Sequence, residues 1–235
     1  MISIIIPLYN QADKIEKCLK SILAQTYENY EIIVVNDRSS DKLGKIVEQT
    51  KKDFGVKIEW LHNQENHGAP YSRNKGFRQS HGEYLLFCDA DIILENDTLE
   101  SMLEALQKNP GASYAYPSFK FGHKFFKLWE FDADKLKQMP YIHSTALIRR
   151  EHFPEKGWDE SLKKLQDWDL WLTMLAAGYS GVWIDRILFR IDGGGHTMSS
   201  WLPSFAYKLF PFLPSVKKYK KAMEIVKNKH GISLK

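Results

Sequence analysis

Two short runs of branched apolar residues stand near the start of the chain, at residues 2–6 and 31–36, where Ile and Val dominate. Runs without alternating polar positions are typical of strands that are buried on both faces of a parallel sheet. Between the runs, apolar side chains recur at helical spacing and form one face. They are Ile15, Cys18, Leu19, Ile22 and Leu23. The pattern predicts a β-α-β unit.

The alternation of elements continues to about residue 110. Further strands are predicted at 56–62 and 83–89, and further helices at 41–53, 70–80 and 98–108. This order predicts an open, mostly parallel α/β sheet flanked by helices, of the Rossmann-like nucleotide-binding type. Because ligands of such sheets bind beyond the carboxyl ends of the strands, we expect the functional residues to follow the strands.

The second half of the chain is less regular. Aromatic and basic residues between 113 and 164 follow no clean period, and strands are predicted there only at 113–117 and 144–149. A helix at 166–177 and a strand at 181–191 follow.

Composition places the chain among folded globular proteins. It has 235 residues, 43% of them hydrophobic and 26% charged, which suits one domain with a small appendage. Residues 1–7 lack the basic segment and the length of a signal peptide or a membrane span. Cys18 and Cys88 lie in apolar segments without the spacing of a disulfide framework or a zinc site. These features favour a reducing, cytoplasmic location.

Residues 201–235 differ in charge from the rest of the chain. They hold eight Lys and one Glu, a net +7, whereas residues 1–200 hold 25 basic and 28 acidic side chains, a net −3. An apolar line at helical spacing runs from Val216 to Val226. This basic helical tail either lies on an anionic membrane surface, as a peripheral contact, or packs on the preceding domain with its lysines in water. Nucleic-acid binding is not expected, since no recognisable module supports it.

Acidic residues stand at the ends of two predicted strands. Asp37 follows the strand at 31–36, where a carboxylate either accepts a hydrogen bond from a base or ribose, or merely forms a turn. Asp89 and Asp91 follow a second apolar run and flank Ala90. Two carboxylates in this arrangement suit a hard divalent cation that takes further ligands from phosphate oxygens.

The order of four segments resembles that of family 2 glycosyltransferases, an inverting family with the GT-A fold. The segments are 3–10 (SIIIPLYN), 34–41 (VVNDRSSD), 66–76 (NHGAPYSRNKG) and 88–91 (CDAD). The ordered set makes the resemblance specific, and it extends over about residues 1–200. It implies a GT-A catalytic domain at 1–200, with a nucleotide-sugar-binding half at 1–110 and an acceptor half at 111–200, followed by the tail at 201–235.

The resemblance also implies an activity. The protein is expected to move a sugar from a nucleotide-diphosphate sugar, with UDP as the expected nucleotide, to a hydroxyl of a saccharide or lipid-linked acceptor. Pro7, Tyr9 and Asp37 match positions that cradle the nucleotide, and Arg73 matches a donor-binding arginine. A guanidinium suits this role because its planar fork matches phosphate oxygens. A part in polysaccharide biosynthesis is expected at the family level.

The resemblance assigns the strand-end carboxylates to the ribose and the metal diphosphate. Asp89 matches the position that contacts chiefly the ribose, and Asp91 matches the position that binds Mn²⁺ or Mg²⁺. His196 lies in a glycine-rich segment that resembles the family's loop over the donor. It is expected to contact the metal or the diphosphate, unless it is only a solvated loop residue.

Inverting transfer needs a carboxylate that takes the proton of the acceptor hydroxyl. Asp167 falls on the family's base position, with Asp169 as the alternative. Gln166 stands where the family has Glu, which leaves the acceptor contacts open.

Two other functions remain as alternatives. A sugar-1-phosphate nucleotidyltransferase would share the sheet, but its loop after the first strand is expected to be glycine-rich, whereas residues 7–10 read PLYN. A catalytically silent nucleotide-sugar-binding protein is supported only by Gln166.

Overall fold

The computed structural model describes residues 1–40, 43–55, 57–193 and 212–233. Strands and helices alternate in the first half as the sequence pattern predicts. These elements are β1 (Ile2–Leu8), α1 (Ala12–Leu23), β2 (Tyr30–Asn36), α2 (Leu43–Phe54), β3 (Ile58–His62), α3 (Ala69–Gln79) and β4 (Tyr84–Phe87). The four strands are parallel and lie in the order β3-β2-β1-β4. All seven residues of β1 are buried, which explains its uninterrupted apolar run.

The second half extends the same sheet with mixed strand directions. Its elements are β5 (Ile92–Leu94), α4 (Thr98–Lys108), β6 (Tyr114–Phe121), β7 (Lys124–Phe126), α5 (Ala133–Gln138), β8 (Leu147–Arg149), a 3-10 helix (Arg150–His152), α6 (Gln166–Ala176), β9 (Gly181–Ile191) and α7 (Pro214–Lys229). The sheet order is β3-β2-β1-β4-β8-β6-β9-β5, with β7 paired to β6. β6 and β9 are parallel, whereas β8, β7 and β5 pair in antiparallel directions. The predicted class, an α/β sheet flanked by helices, is confirmed.

Several boundaries differ from those predicted. β4 ends at Phe87, two residues early, because the chain turns at Asp89, whose carbonyl accepts the N–H of Ile92. β6 continues to Phe121, where it pairs with both β7 and β9. β5, β7 and α5 were not predicted, since elements of three to six residues are too short to show a period.

Helix α3 packs unusually close to the sheet. A methyl group added at Gly76 would lie 2.5 Å from Ile5 Cγ2 and 3.2 Å from Val35 Cγ2. Glycine therefore lets the helix approach β1 and β2, and the same helix carries Arg73 one turn earlier. Asn74 then ties α3 to a distant segment, since its side chain exchanges hydrogen bonds of 2.8 and 2.9 Å with the backbone of Trp158.

Helix α7 packs on the domain, which is one of the two arrangements that the sequence allowed for the tail. Val216 and Val226 are fully buried, and Val226 belongs to the main core. At the end of the helix, Lys229 and His230 each lie 2.8 Å from the carboxylate of Asp169 in α6. No helix within the described residues combines the length and the apolar character needed to cross a bilayer.

Candidate active site

Three neighbouring strands bring their carboxyl ends to one edge of the sheet. Just past β2, the N–H of Asp37 donates to the carbonyl of Leu8 at the end of β1 (2.8 Å). Just past β4, the N–H of Cys88 donates to the carbonyl of Ile5 in β1 (3.0 Å). The polar residues that follow these strands therefore meet beside β1, as expected for a parallel sheet.

A pocket of about 610 Å³ opens at this edge. Its volume is in the range of small-molecule sites, roughly 300–1,000 Å³. Its lining includes all six residues that the sequence analysis assigned to the nucleotide sugar. They are Pro7, Tyr9, Asp37, Arg73, Asp89 and Asp91. The fold thus brings together side chains from β1, α3 and two strand ends, although their individual roles stay predictions.

Asp37 is a buried wall of the pocket, with 2% of its surface exposed. Its Oδ1 accepts hydrogen bonds from Asn63 Nδ2 (2.8 Å) and the N–H of His67 (3.0 Å), and its Oδ2 accepts the N–H of Gly68 (2.7 Å). These donors belong to the loop that leads into α3. Asp37 therefore fixes that loop against the pocket.

Arg73 links three parts of the site. Its Nη2 donates to Asp89 Oδ1 (2.6 Å), and its Nη1 donates to Gln166 Oε1 (3.1 Å). The guanidinium also lies 4.6 Å from the ring centre of Trp158, a cation–π distance. Arg73 is 4% exposed, so it binds protein groups on most sides. Its contact with a donor, implied by the resemblance, stays a prediction.

Asp91 lies in an environment that favours a cation. Burial raises its pKa to about 6, and the nearby carboxylate of Asp89 adds to this rise, whereas Lys14 opposes it. A desolvated carboxylate beside another one gains from a divalent cation, which is how Asp91 and Asp89 fit Mn²⁺ or Mg²⁺. In the part of the chain that the structure describes, no three His, Cys, Asp or Glu side chains form a group able to hold a metal ion. Phosphate oxygens are ligands that could complete the shell of such a cation. His196 lies outside the described residues.

Asp167 stands in the first turn of α6, beside the pocket lining. The preceding Leu165 has a left-handed backbone (φ 58°, ψ 33°), which directs the chain into the helix. Asp167 Oδ1 accepts the N–H of Trp168 (2.8 Å). Burial raises the pKa of Asp167, although His143, the Trp168 N–H and Arg73 oppose the rise. A raised pKa suits a carboxylate that must accept a proton from a hydroxyl.

Asp169 and Gln166 are both bound to other parts of the protein. Asp169 is 3% exposed, and its carboxylate pairs with Lys229 and His230. Gln166 accepts from Arg73 and donates from Nε2 to the carbonyl of Leu162 (3.0 Å). The ion pairs of Asp169 favour Asp167 as the candidate base, and Gln166 joins α6 to Arg73 of α3.

His143 is a pocket residue that the sequence analysis did not single out. It lies between α5 and β8, in the irregular stretch that carried no motif, and a single histidine in such a stretch gives no signal. Only the folded chain shows that His143 lies near Asp89, Asp167 and Arg73, whose charges all affect its pKa. Burial has the largest effect and lowers the pKa of His143.

The fold and the pocket define an α/β protein of the nucleotide-binding class. Residues 3–157 match the sequence profile of Glycosyl transferase family 2. The match covers more than half of the chain, which therefore belongs to this family.

Named relatives agree with this assignment. The chain is 29% identical over 213 residues to the putative teichuronic acid biosynthesis glycosyltransferase TuaG of Bacillus subtilis, covering 86% of this chain and 83% of TuaG. It is 30% identical over 191 residues to an uncharacterized glycosyltransferase of Haemophilus influenzae, covering 74% of this chain and 62% of that one. A Rickettsia conorii relative is 28% identical over 215 residues, covering 83% of this chain and 34% of the relative. The chain thus spans only part of the length of several relatives.

Solved structures share the fold. The crystal structure of S. aureus TarS 1-349 in complex with UDP-GlcNAc aligns with a TM-score of 0.72 at 19% identity, covering 97% of this chain and 72% of that one. The mannosyltransferase PcManGT from Pyrobaculum calidifontis, in complex with GDP-Man and Mn²⁺, aligns with a TM-score of 0.70 at 17% identity, covering 98% and 72%. The predicted GT-A fold is confirmed by these neighbours.

Proposed function

We propose that this glycosyltransferase moves a sugar from a UDP-sugar to a hydroxyl of a saccharide or lipid-linked acceptor, with inversion at the anomeric carbon. The observation that carries the proposal is the pocket at the strand ends. It joins six residues assigned from the sequence to the nucleotide sugar. Asp167, a half-buried carboxylate with a raised pKa, follows Gln166, which accepts a hydrogen bond from Arg73 of the pocket lining. A proton acceptor next to a donor pocket is the arrangement that a single displacement requires.

The donor class is supported by the fold neighbours, which were solved with nucleotide sugars. TarS was crystallised with UDP and with UDP-GlcNAc, and PcManGT with GDP-Man. In this chain, the nucleotide is expected on the side of Asp37, and the diphosphate is expected on the side of Asp91. The sugar then lies toward Asp167, where its anomeric carbon meets the acceptor.

Asp91 and Asp89 would hold a divalent cation together with the donor diphosphate. Such an ion offsets the negative charge on the leaving diphosphate as a Lewis acid. Mn²⁺ is present in the PcManGT complex, and either Mn²⁺ or Mg²⁺ suits two carboxylates with phosphate oxygens.

Asp167 is the group that accepts the proton of the acceptor hydroxyl. The acceptor hydroxyl gives its proton to the Asp167 carboxylate while its oxygen forms a bond to the anomeric carbon. The bond between this carbon and the diphosphate oxygen breaks, and the nucleoside diphosphate leaves with the electron pair. Because the hydroxyl attacks from the face opposite the leaving group, the configuration inverts. Arg73 supports this arrangement by joining Asp89 to Gln166, the residue that precedes the base.

A donor panel tests the reaction class. Purified protein is incubated with UDP- and GDP-sugars, with Mn²⁺ or Mg²⁺, and release of the nucleoside diphosphate is measured with and without saccharide acceptors. We expect release with at least one UDP-sugar and loss of release when the metal is chelated. Absence of both release and donor binding across the panel would contradict the proposal.

Replacing the base tests the mechanism. Asp167→Asn keeps the size of the side chain and removes its capacity to take a proton, so we expect transfer to fall by about 10²–10⁴-fold with donor affinity little changed. Asp134→Asn, at an exposed carboxylate of α5, is the matched control and should keep full activity. If Asp167→Asn transfers sugar at the wild-type rate, Asp167 is not the base.

Helix α7 packs on the domain through one face, and we propose that the lysines on its exposed face contact an anionic membrane surface. Lys217, Lys218, Lys220 and Lys221 are exposed on α7, while Val216 of the same helix is buried in the domain. A lysine near an anionic surface contributes about 1 kcal/mol. Changing these four lysines to Gln should therefore abolish sedimentation with anionic vesicles. Equal sedimentation of the variant and the wild type would exclude this contact.

A further inference from the structure

His143 is held in one orientation by groups on two sides of its ring. The rings of Phe119 and Phe189 lie on neighbouring strands, with their centres 5.3 and 5.2 Å from the centre of the imidazole. At the edge of the imidazole, the N–H of Thr145 donates to Nδ1 (3.1 Å). The position of the ring is therefore set before any ligand enters the pocket.

The hydrogen bond from Thr145 also decides which nitrogen carries the proton. Nδ1 uses its lone pair to accept the N–H, so the neutral ring carries its hydrogen on Nε2. Among the described residues, Nε2 has no hydrogen-bond partner and is not one of the buried unsatisfied atoms, and His143 lines the pocket. The ring thus offers one N–H donor that no described protein group uses.

The place of His143 within the site indicates what this donor meets. The ring lines the same pocket as Asp89 and Arg73, and Arg73 binds both Asp89 and Gln166, the residue that precedes Asp167. In the proposed function, Asp89 lies on the side of the ribose and the metal diphosphate, and Asp167 lies at the acceptor hydroxyl. The group between a diphosphate and an attacking hydroxyl is the transferred sugar.

We propose that His143 is a specificity-determining residue that donates its Nε2–H to an oxygen of the transferred sugar. The inference rests on the proposed function, because it needs a nucleotide sugar in the pocket. A site built to hydrogen-bond a hydroxyl discriminates against a sugar that lacks it, since the donor is then left unpaired. His143 thereby selects among sugars, whereas the nucleotide half of the pocket does not.

Two amide variants separate the nitrogens of the ring. In His143→Asn, the side-chain oxygen takes the place of Nδ1 and still accepts from Thr145, but no donor reaches the position of Nε2. In His143→Gln, the longer side chain brings an N–H to the position of Nε2. The Asn variant is therefore the test, and the Gln variant is its rescue.

Binding of a nucleotide sugar is compared with binding of its nucleoside diphosphate by calorimetry. The probes are UDP-GlcNAc against UDP, and GDP-mannose against GDP, each with Mn²⁺. We expect His143→Asn to raise the Kd for the sugar nucleotide about tenfold, which corresponds to ~1.4 kcal/mol. The Kd for the nucleoside diphosphate should stay within about twofold of the wild-type value. His143→Gln should recover most of this loss.

The possible results point to different errors. If the Asn variant binds sugar nucleotide and diphosphate as the wild type does, His143 does not contact the sugar and the inference is wrong. If both ligands weaken equally, or if thermal unfolding shows a damaged fold in both variants, the effect is structural and the inference is also wrong. If the wild-type protein binds none of the four probes, the proposed function itself fails, and the inference fails with it.

Discussion

The contacts of Asp169 in α6 with Lys229 and His230 at the end of α7, here called the clamp, offer a direct test of how the C-terminal helix contributes to the active site. Asp169 lies two residues after the proposed base, and its carboxylate binds Lys229 (2.8 Å) and His230 (2.8 Å). Lys229 also binds Asp159 (2.6 Å). Changing Asp169 to Asn keeps the shape of the side chain and removes the charge that both partners contact.

The expected loss follows from burial. The Asp169 side chain is 4% exposed and that of His230 is 11% exposed, so their contact is shielded from water, whereas Lys229 is 39% exposed and its contribution is screened. A hydrogen bond to a charged group contributes about 1 kcal/mol more than a neutral one. We therefore expect Asp169→Asn to lower the free energy of unfolding by about 2 kcal/mol, and Lys229→Met by about 1 kcal/mol or less.

Thermal and urea unfolding of the two single variants and the double variant measure this clamp. For a chain of this length, 2 kcal/mol corresponds to a fall in Tm of about 4–8 °C. Because the two residues are in contact, the double variant should lose at least ~0.5 kcal/mol less than the sum of the single losses. Additive losses, or an unchanged Tm in Asp169→Asn, would refute the idea that α7 clamps α6. We also expect transfer to fall more than donor affinity, since the clamp adjoins Asp167 and not the pocket lining.

Two further predictions follow from the site and the sheet. Burial raises the pKa of Asp167 above its ordinary 3.8, although the nearby His143 and Arg73 oppose the rise. Because a base works only when it is deprotonated, kcat should decline on acidification at a higher pH than it would with an exposed Asp. A pH–rate profile that stays flat down to pH 4 would contradict this. Gly76→Ala should lower the free energy of unfolding by about 1–3 kcal/mol, because the added methyl group would meet Ile5. Gly44→Ala has no neighbour within 4 Å and should stabilise α2 by about 0.5–1 kcal/mol. Equal Tm shifts in the two variants would show that close packing of α3 is unimportant.

The first half of the fold was readable from the sequence because its information is local. Strands that are buried on both faces need uninterrupted apolar runs, and the helices that cover them need one apolar face. The chemistry of the strand ends then follows from topology, since parallel neighbours bring their carboxyl ends together. For this reason Asp37, Asp89 and Asp91 line one pocket, although their roles stay predictions.

The second half was harder to predict because its short strands depend on distant partners. β5 has three residues and pairs with β9, and β7 has three residues and pairs with β6. No periodicity develops over so few positions. His143 was missed for the same reason, since its orientation comes from rings on two other strands and from the folded loop that contains it.

The sequence by itself determined the α/β class, the family resemblance and the set of carboxylates at the strand ends. Tertiary structure alone decided the partners of Asp169, which lie 60 and 61 positions further along the chain, and the use of Gln166 by Arg73. It also placed the buried thiols of Cys18 and Cys88 3.9 Å apart, although their spacing in the chain gave no sign of this. The physical reason is that periodicity records which face of an element is apolar, whereas a hydrogen bond or ion pair between distant residues depends on how those faces are assembled.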